Sequence, residues 1–190
     1  MECHSMQRRA SSRKTYQRCG HSPDLHACHC SSLDAANTTC TMSASIMVKS
    51  VSWDHPDAVR LRDAQQIEIG DVKPPLVGAP STAANVPVFV VAYKGDEAVG
   101  CGGLRLLTEE GLEGHADIKR MYVVPSVRGA GGSVARMILE AMEQAAREKG
   151  WVALRAGTSK SMVHARAFYE RFGYERWGET QHEVISVKRL

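Results

Sequence analysis

The chain has 190 residues, of which 43% are hydrophobic and 24% are charged, a balance typical of one globular domain with an additional tail. The net charge is +3, and because no basic stripe with interleaved aromatic side chains is present, the sequence does not predict nucleic-acid binding. No apolar run approaches the roughly 18 residues of a membrane span, and the N-terminus lacks the apolar segment of a secretory signal, so we expect a cytoplasmic protein without membrane contact.

Residues 1–45 are polar and carry five of the six cysteines together with four histidines. We expect a disordered extension that precedes a folded domain at 46–190. Its arginines, serines and threonines loosely resemble a transit peptide, so organelle targeting remains an alternative. The run "HACHC" contains zinc-type ligands, which leaves a zinc-dependent interaction protein as a further hypothesis. Because no CxxC pair and no apolar mini-core accompany them, we predict no metal site.

From Ile46 onwards, apolar runs with β-type and helical periodicity alternate. A helix capped by Asp54 is expected before a long proline-rich loop from Asp71 to Pro87, which we expect to line a pocket. A tight turn at Lys94-Gly95-Asp96 predicts a hairpin. Strands are predicted at 46–53, 88–93, 97–107, 116–124, 151–156 and 183–190, and helices at 54–70, 133–149 and 161–173.

These elements predict an α+β fold with a mixed, mostly antiparallel sheet flanked by helices. The strand at 151–156 follows a helical crossover, so it is expected to lie parallel to the strand that ends at Val124. Cys101 lies in a strand rich in small residues, and we expect it to be buried packing rather than a nucleophile.

The stretch between Val124 and the second helix is rich in residues without bulky side chains. Gly129, Ala130, Gly131 and Gly132 leave the backbone N–H groups at the helix start accessible, and the helix dipole adds positive charge there. Arg128 adds a charged donor. We therefore predict a phosphate-binding loop. The lysine of a P-loop is absent, and the preceding antiparallel elements do not fit a dinucleotide-binding fold.

The sequence "VVPSVRGAGGSVARMIL" resembles the acyl-CoA signature of the GNAT acetyltransferases, Arg/Gln-x-x-Gly-x-Gly/Ala. Arg128, Gly131 and Ser133 match its positions, with serine in place of the last glycine or alanine. The segments "VGCGGLRLL", "IKRMYVVP" and "ARAFYERFGYE" are similar to segments of the family in the same order. Together they cover most of residues 86–178.

The resemblance implies the GNAT fold and direct transfer of an acetyl group from acetyl-CoA, without a metal, to a primary amine of a small molecule or amino-acid-like acceptor. A non-catalytic acyl-CoA-binding module is the alternative. An N–H near Val123 or Val124 would polarise the thioester carbonyl. By the resemblance, the diphosphate of coenzyme A binds the amides of Arg128, Gly129, Ala130, Gly131, Gly132 and Ser133, and the pantetheine arm pairs with Met121, Tyr122, Val123 and Val124.

Catalytic roles follow from the same resemblance. Tyr169 matches the tyrosine that protonates the departing thiolate. Asp117 lies where many members have a catalytic glutamate, and we predict that it acts as general base through a water molecule, with His115 as the alternative. A structural salt bridge from Asp117 to Lys119 or Arg105 is the competing interpretation.

The acceptor site is predicted from basic residues around the same strand. Strand alternation sends Lys119 and Arg120 to opposite faces, so one of them is expected to face the acceptor, with Arg105 beside it. Such cations would indicate an acceptor with a carboxylate, although ordinary solvated charge explains them equally. The expected partner is a small-molecule amine, and the sequence leaves open whether the chain forms a homodimer.

Overall fold

The computed structural model describes residues 45–70, 80–129 and 133–190. Three predictions lie wholly or partly outside the described residues: the disordered extension with its cysteines and histidines, residues 71–79 of the Asp71–Pro87 loop, and the loop residues Ala130, Gly131 and Gly132. The backbone of Ser133 is described as the first residue of a helix.

Within the described part of the chain, a sheet has the strand order β1-β2-β3-β4-β5-β7-β6. All neighbouring strands are antiparallel except β4 and β5, which are parallel as predicted. The strands are β1 (Ile46–Ser50), β2 (Val88–Lys94), β3 (Glu97–Leu106), β4 (His115–Val123), β5 (Ala153–Ser159), β6 (Glu175–Glu179) and β7 (Glu183–Arg189). The helices are α1 (Pro56–Ile69), α2 (Ser133–Glu148) and α3 (Val163–Arg171), and a 3-10 turn covers Pro125–Val127.

Helices cover both faces of the sheet, as the predicted α+β fold requires. On one face, α1 buries Ala58 and Leu61 against β2 and β3. On the other, α2 buries Ile138 and Met142 within a larger apolar cluster. Strand alternation divides β4 in the same way, since Ala116 and Ile118 belong to the α2 cluster. The intervening Asp117 and Lys119 therefore lie on the α1 face.

Two local predictions from the sequence are confirmed, the turn at Gly95 and the burial of Cys101, and one prediction, the cap of α1, is wrong. Gly95 has φ +60° in the β2–β3 turn, and Cys101 is fully buried. The prediction that Asp54 caps α1 is wrong, because the side chain of His55 accepts the N–H of Asp57 there. No described helix has the length and apolar character needed to cross a bilayer.

The pairing between β4 and β5 is short, and this feature positions the candidate site. His115, Ala116 and Asp117 pair with Ala153, Leu154 and Arg155, and the described residues of β4 and β5 beyond these three pairs do not pair with each other. The two strands continue to Val123 and Ser159, so an opening, called here the β4–β5 gap, begins after the Asp117–Arg155 pair.

A β-bulge interrupts β4 beside this gap. Between the pairs Cys101–Tyr122 and Gly103–Lys119, β4 has one more residue than β3. Arg120 takes up the extra length with φ +56°, a left-handed conformation that is uncommon for a residue with a side chain.

Candidate active site

Backbone polar groups of β4 point into the β4–β5 gap at Val123. The N–H of Val124 donates to the carbonyl of Val99 at 2.9 Å, so Val124 is hydrogen-bonded to β3. Because orientation alternates in antiparallel pairing, Val123, which lies opposite Gly100, turns its N–H and carbonyl away from β3. Of the two N–H groups predicted to polarise a thioester, the geometry therefore leaves that of Val123 available.

Arg128 connects this strand end to α1. Its Nε donates to the carbonyl of Val123 at 2.6 Å, and its two terminal nitrogens lie 2.7 Å from the two carboxylate oxygens of Glu68. The hydrogen bonds from Arg128 lower the pKa of Glu68, and Glu68 in turn raises the pKa of Arg128. The next residue, Gly129, has φ +86°, which suits glycine at the start of the predicted phosphate loop.

Asp117 is surrounded by three cations from three adjacent strands. Its Oδ2 lies 3.0 Å from Arg105 of β3 and 3.0 Å from Lys119 of β4, while its Oδ1 lies 2.5 Å from Nε of Arg155 on β5. These contacts include both salt bridges that the competing interpretation of the sequence named. Arg155 is an addition that the sequence did not suggest.

The charge state of Asp117 follows from these neighbours. Burial alone would raise its pKa, but the hydrogen bond from Arg155 and the charge of Lys119 outweigh burial and hold the pKa below its ordinary value. The same contact raises the pKa of Arg155. Asp117 is therefore an anion throughout the neutral range and a weak proton acceptor.

Tyr169 lies in the C-terminal half of α3, with its ring buried among aromatic neighbours. The ring centroids of Tyr169 and Tyr174 are 5.3 Å apart, and Phe168 lies 5.4 Å from Tyr169. Burial raises the pKa of Tyr169, so the hydroxyl stays protonated at neutral pH. Among the described residues, no hydrogen bond to this hydroxyl is found, and the ring is 7% exposed.

The prediction that Lys119 and Arg120 lie on opposite faces is wrong. Lys119 contacts Asp117 on the α1 face, and Nη1 of Arg120 lies 3.3 Å from Oε1 of Gln66 on α1 itself. The bulge is the reason, because the left-handed conformation of Arg120 resets the alternation of the strand.

Two further polar residues on the α1 face were not predicted from the sequence. Nε2 of Gln65 donates to the carbonyl of Met121 in the bulge at 2.8 Å, and its Oε1 is buried without a partner among the described residues. The carboxylate of Glu183 lies 3.3 Å from the place that a Cβ at Gly157 would occupy, at the part of β5 that no longer pairs with β4. Gln65 lies on the buried side of α1, together with Ala58 and Leu61.

The start of α3 lies close to the end of β5. Met162 is the N-cap of α3 and is about half exposed. The hydroxyls of Ser159 and Ser161 lie 2.9 Å apart. Within the described ranges, no group of three or more His, Cys, Asp or Glu side chains could bind a metal ion.

Comparison with known proteins agrees with this geometry. A family model for the acetyltransferase (GNAT) domain matches residues 85–176. The chain is 36% identical over 86 residues to the IAA acetyltransferase of Azospirillum brasilense, a match that covers 45% of this chain and 53%, about half, of that protein. It is 32% identical over 110 residues to the uncharacterized N-acetyltransferase YsnE of Bacillus subtilis (strain 168), with 54% of this chain and 69% of that protein covered.

A solved structure shows the same fold. The PaiA N-acetyltransferase from Thermoplasma acidophilum, in complex with coenzyme A, superposes with a TM-score of 0.59 over 77% of this chain and 99% of that one, at 13% identity. The predicted family and fold are thus confirmed, and the chain belongs to the GNAT acetyltransferase family.

Proposed function

We propose that this protein transfers an acetyl group from acetyl-CoA to a primary amine of a small molecule or amino-acid-like acceptor by direct attack. The observation that carries the proposal is the end of β4–β5 pairing at Asp117 and Arg155, which leaves the N–H of Val123 facing an open gap. Family membership supports the same reaction type, and the solved relative that contains coenzyme A supports the choice of donor.

The donor binds along the second half of β4. The pantetheine arm pairs with Met121, Tyr122, Val123 and Val124, as the resemblance implies, and the diphosphate binds the backbone from Arg128 to Ser133. Two observations support this placement: Val123 turns its backbone groups away from β3, and the positive φ of Gly129 suits a turn that directs N–H groups at an anion.

During the reaction, the negative charge that develops on the carbonyl oxygen must be stabilised, and two protons must be transferred. The neutral amine attacks the thioester carbonyl carbon, a C–N bond forms, and the carbonyl oxygen becomes an oxyanion that the N–H of Val123 stabilises. When the C–S bond breaks, Tyr169 gives its hydroxyl proton to the thiolate. The hydroxyl of Tyr169 is protonated at neutral pH, as a proton donor must be, while the upward shift of its pKa by burial makes it a weaker acid than a free tyrosine.

The proton that the amine loses during the attack must be accepted by a base. Asp117 is six residues before Val123, roughly 20 Å at the usual rise of a strand and somewhat less across the bulge. It also contacts three cations, so its role as base is kept only through a relay of water molecules. His115 is two residues further away and would need a longer relay.

The test uses the full chain with acetyl-CoA and a broad panel of primary amines. We expect a product with the mass of the amine plus one acetyl group and release of free coenzyme A in equal amount. Binding of acetyl-CoA without acetylation of any amine would contradict the enzyme proposal and favour a binding module. The cytoplasmic location and a homodimer stay predictions.

A further inference from the structure

Gln65 of α1 has a buried oxygen atom that no hydrogen-bond donor reaches. The residue is only 8% exposed, and its Oε1 is buried without a partner among the described residues. Its Nε2 donates to the carbonyl of Met121 at 2.8 Å, and because a carbonyl only accepts, this bond fixes which end of the side-chain amide is the oxygen. A buried acceptor without a donor is unfavourable, so this oxygen favours a ligand that brings an N–H.

The side-chain amide of Gln65 lies on the edge of β4 that faces the β4–β5 gap. Because orientation alternates along β4 after the bulge, the carbonyl of Met121 points away from β3, as the carbonyl of Val123 does. Side chains donate to both carbonyls: Nε2 of Gln65 to the first, and Nε of Arg128 to the second. Gln65 therefore lies along the same strand edge as the N–H of Val123.

The distance between Gln65 and Val123 suits a single amine nitrogen. Met121, which Gln65 contacts, is two residues before Val123, roughly 7 Å at the usual rise of a strand. An attacking nitrogen lies about 3–3.5 Å from the carbon that it attacks, and a hydrogen bond from that nitrogen spans about 3 Å more. A nitrogen that attacks a thioester held at Val123 can therefore also donate to Oε1 of Gln65.

We infer that Oε1 of Gln65 accepts a hydrogen bond from the attacking nitrogen and thereby selects primary over secondary amines. This inference rests on the proposed function and deepens it. A neutral primary amine has two N–H bonds. When the C–N bond forms, one proton leaves to the base, while the other N–H donates to Gln65 and stays in the product amide. A secondary amine has a single N–H, so once its proton has left, Oε1 is again without a donor.

The experiment compares primary amines with their N-methyl derivatives. Initial rates at saturating acetyl-CoA give kcat/KM for each pair of compounds. We expect the wild-type chain to prefer the primary amine by about tenfold or more, because the N-methyl compound leaves Oε1 unpaired. Gln65→Met keeps the length of the side chain but removes both polar atoms. Its preference should shrink, because kcat/KM for the primary amine falls more than that for the N-methyl compound, while KM for acetyl-CoA stays unchanged.

Gln66→Met is the matched control, because it makes the same change at the next residue of α1. It removes the contact between Oε1 of Gln66 and Nη1 of Arg120 in the bulge, so it reports what a lost contact to the bulge does by itself. The control should keep the wild-type preference for primary amines. Melting temperatures of both variants show whether they are folded, and the preference of the wild-type chain tests the inference even if a variant is not.

Several outcomes overturn the inference. Wild-type chain that uses both amines of a pair equally well would show that no second N–H is recognised, although the proposed function would stand. An unchanged preference in Gln65→Met would show that Oε1 binds a water molecule or nothing. A loss in Gln65→Met that comes from a higher KM for acetyl-CoA alone would assign Gln65 to the bulge. Failure of the wild-type chain to acetylate any primary amine would contradict the proposed function itself, and the inference with it.

Discussion

Asp117 and Glu143 are both buried carboxylates bound by basic groups, but they lie on opposite faces of the sheet. Glu143 of α2 is contacted by Lys188 of β7 at 2.8 and 2.9 Å, and the hydroxyl of Tyr174 donates to it at 3.3 Å. Its surroundings are packed helix, strand and aromatic ring. Asp117 instead stands where two strands separate. Exposure of the basic partners does not distinguish the two sites, because Lys188 beside Glu143 is about as exposed as Lys119 beside Asp117.

The comparison shows that a buried charge is not by itself a sign of catalysis. Both carboxylates are almost completely buried, and both join elements that are far apart in the sequence. What differs is the neighbouring space: Glu143 ties α2 to β7 within the core, whereas Asp117 borders the β4–β5 gap. Two buried carboxylates can therefore have the same chemistry while only their position relative to an opening differs, and Asp117 is the one that borders the β4–β5 gap.

The largest expected effect is on stability, and it should be similar for the two carboxylates. Asp117→Ala and Glu143→Ala each remove a buried carboxylate from its basic partners, and breaking a buried ion pair in this way costs up to about 3–5 kcal/mol in the free energy of unfolding. Urea denaturation measures both. Glu140→Gln is the control, because its pair with Arg136 is exposed and should contribute less than about 1 kcal/mol.

The conservative variants test whether the two sites differ in function. Glu143→Gln should keep its kcat in the fraction of protein that remains folded. Asp117→Asn should lose activity, because it weakens the ion pairs that Asp117 makes with Lys119 and Arg155 at the β4–β5 gap. Full kcat in Asp117→Asn would reduce Asp117 to a structural residue and exclude it as the general base.

A second large effect separates two neighbouring tyrosines. Tyr169→Phe removes the proposed acid and should lower kcat by about a hundredfold or more, with little change in melting temperature, because the hydroxyl has no partner among the described residues. Tyr174→Phe removes the hydrogen bond to Glu143 and should cost about 1–3 kcal/mol of stability without lowering kcat.

Steady-state rates and thermal denaturation of both variants give the answer. If Tyr169→Phe retains wild-type kcat, another group protonates the thiolate. If both tyrosine variants lose activity equally, the loss comes from packing between the two rings and not from proton transfer.

Much of the fold was predictable because β- and helix-type periodicity is clear in the core. The parallel strand β5 followed from the helical crossover, and α2 begins at the predicted residue. Strand β6 was missed because "ERWGE" is mostly polar and exposed, so alternation leaves no signal. The predicted first strand ends earlier than expected, at Ser50, although Val51 still donates to the carbonyl of Phe89.

Sequence analysis could name candidate site residues from local spacing, but it could not predict contacts between residues that are far apart in the sequence. The motif around Arg128 and the position of Tyr169 depend on local spacing, which a sequence displays. The ion pairs of Asp117 with Arg155, and of Glu68 with Arg128, join residues 38 and 60 positions apart, and no local pattern indicates them. The bulge at Arg120 shifts the alternation by one residue, which a pattern of polar and apolar residues cannot reveal when both faces are polar there.

Acid should lower the free energy of unfolding by protonating Asp117 and so weakening its ion pairs. Because the pKa of Asp117 is lower in the folded than in the unfolded chain, its contribution to stability is complete above the ordinary aspartate pKa, about 4, and is lost as the pH falls through the folded-state value. The free energy of unfolding of the wild-type chain should therefore fall more steeply than that of Asp117→Asn below about pH 4. Parallel slopes in urea titrations would contradict this linkage.

The smallest effect is expected at the pair of Glu68 and Arg128, which is about half exposed and therefore screened by water. Glu68→Gln removes a negative charge next to the residue that opens the proposed phosphate loop. Because repulsion of the diphosphate falls while Arg128 keeps its bond to the carbonyl of Val123, coenzyme A should bind a few-fold more tightly, and the gain should shrink at high salt. Calorimetric titration of both chains at two salt concentrations measures this, with Glu140→Gln as the matched control on α2. Weaker binding in Glu68→Gln would mean that the carboxylate holds Arg128 in the orientation that the ligand needs, so that the pair belongs to the binding loop and does not compete with the ligand.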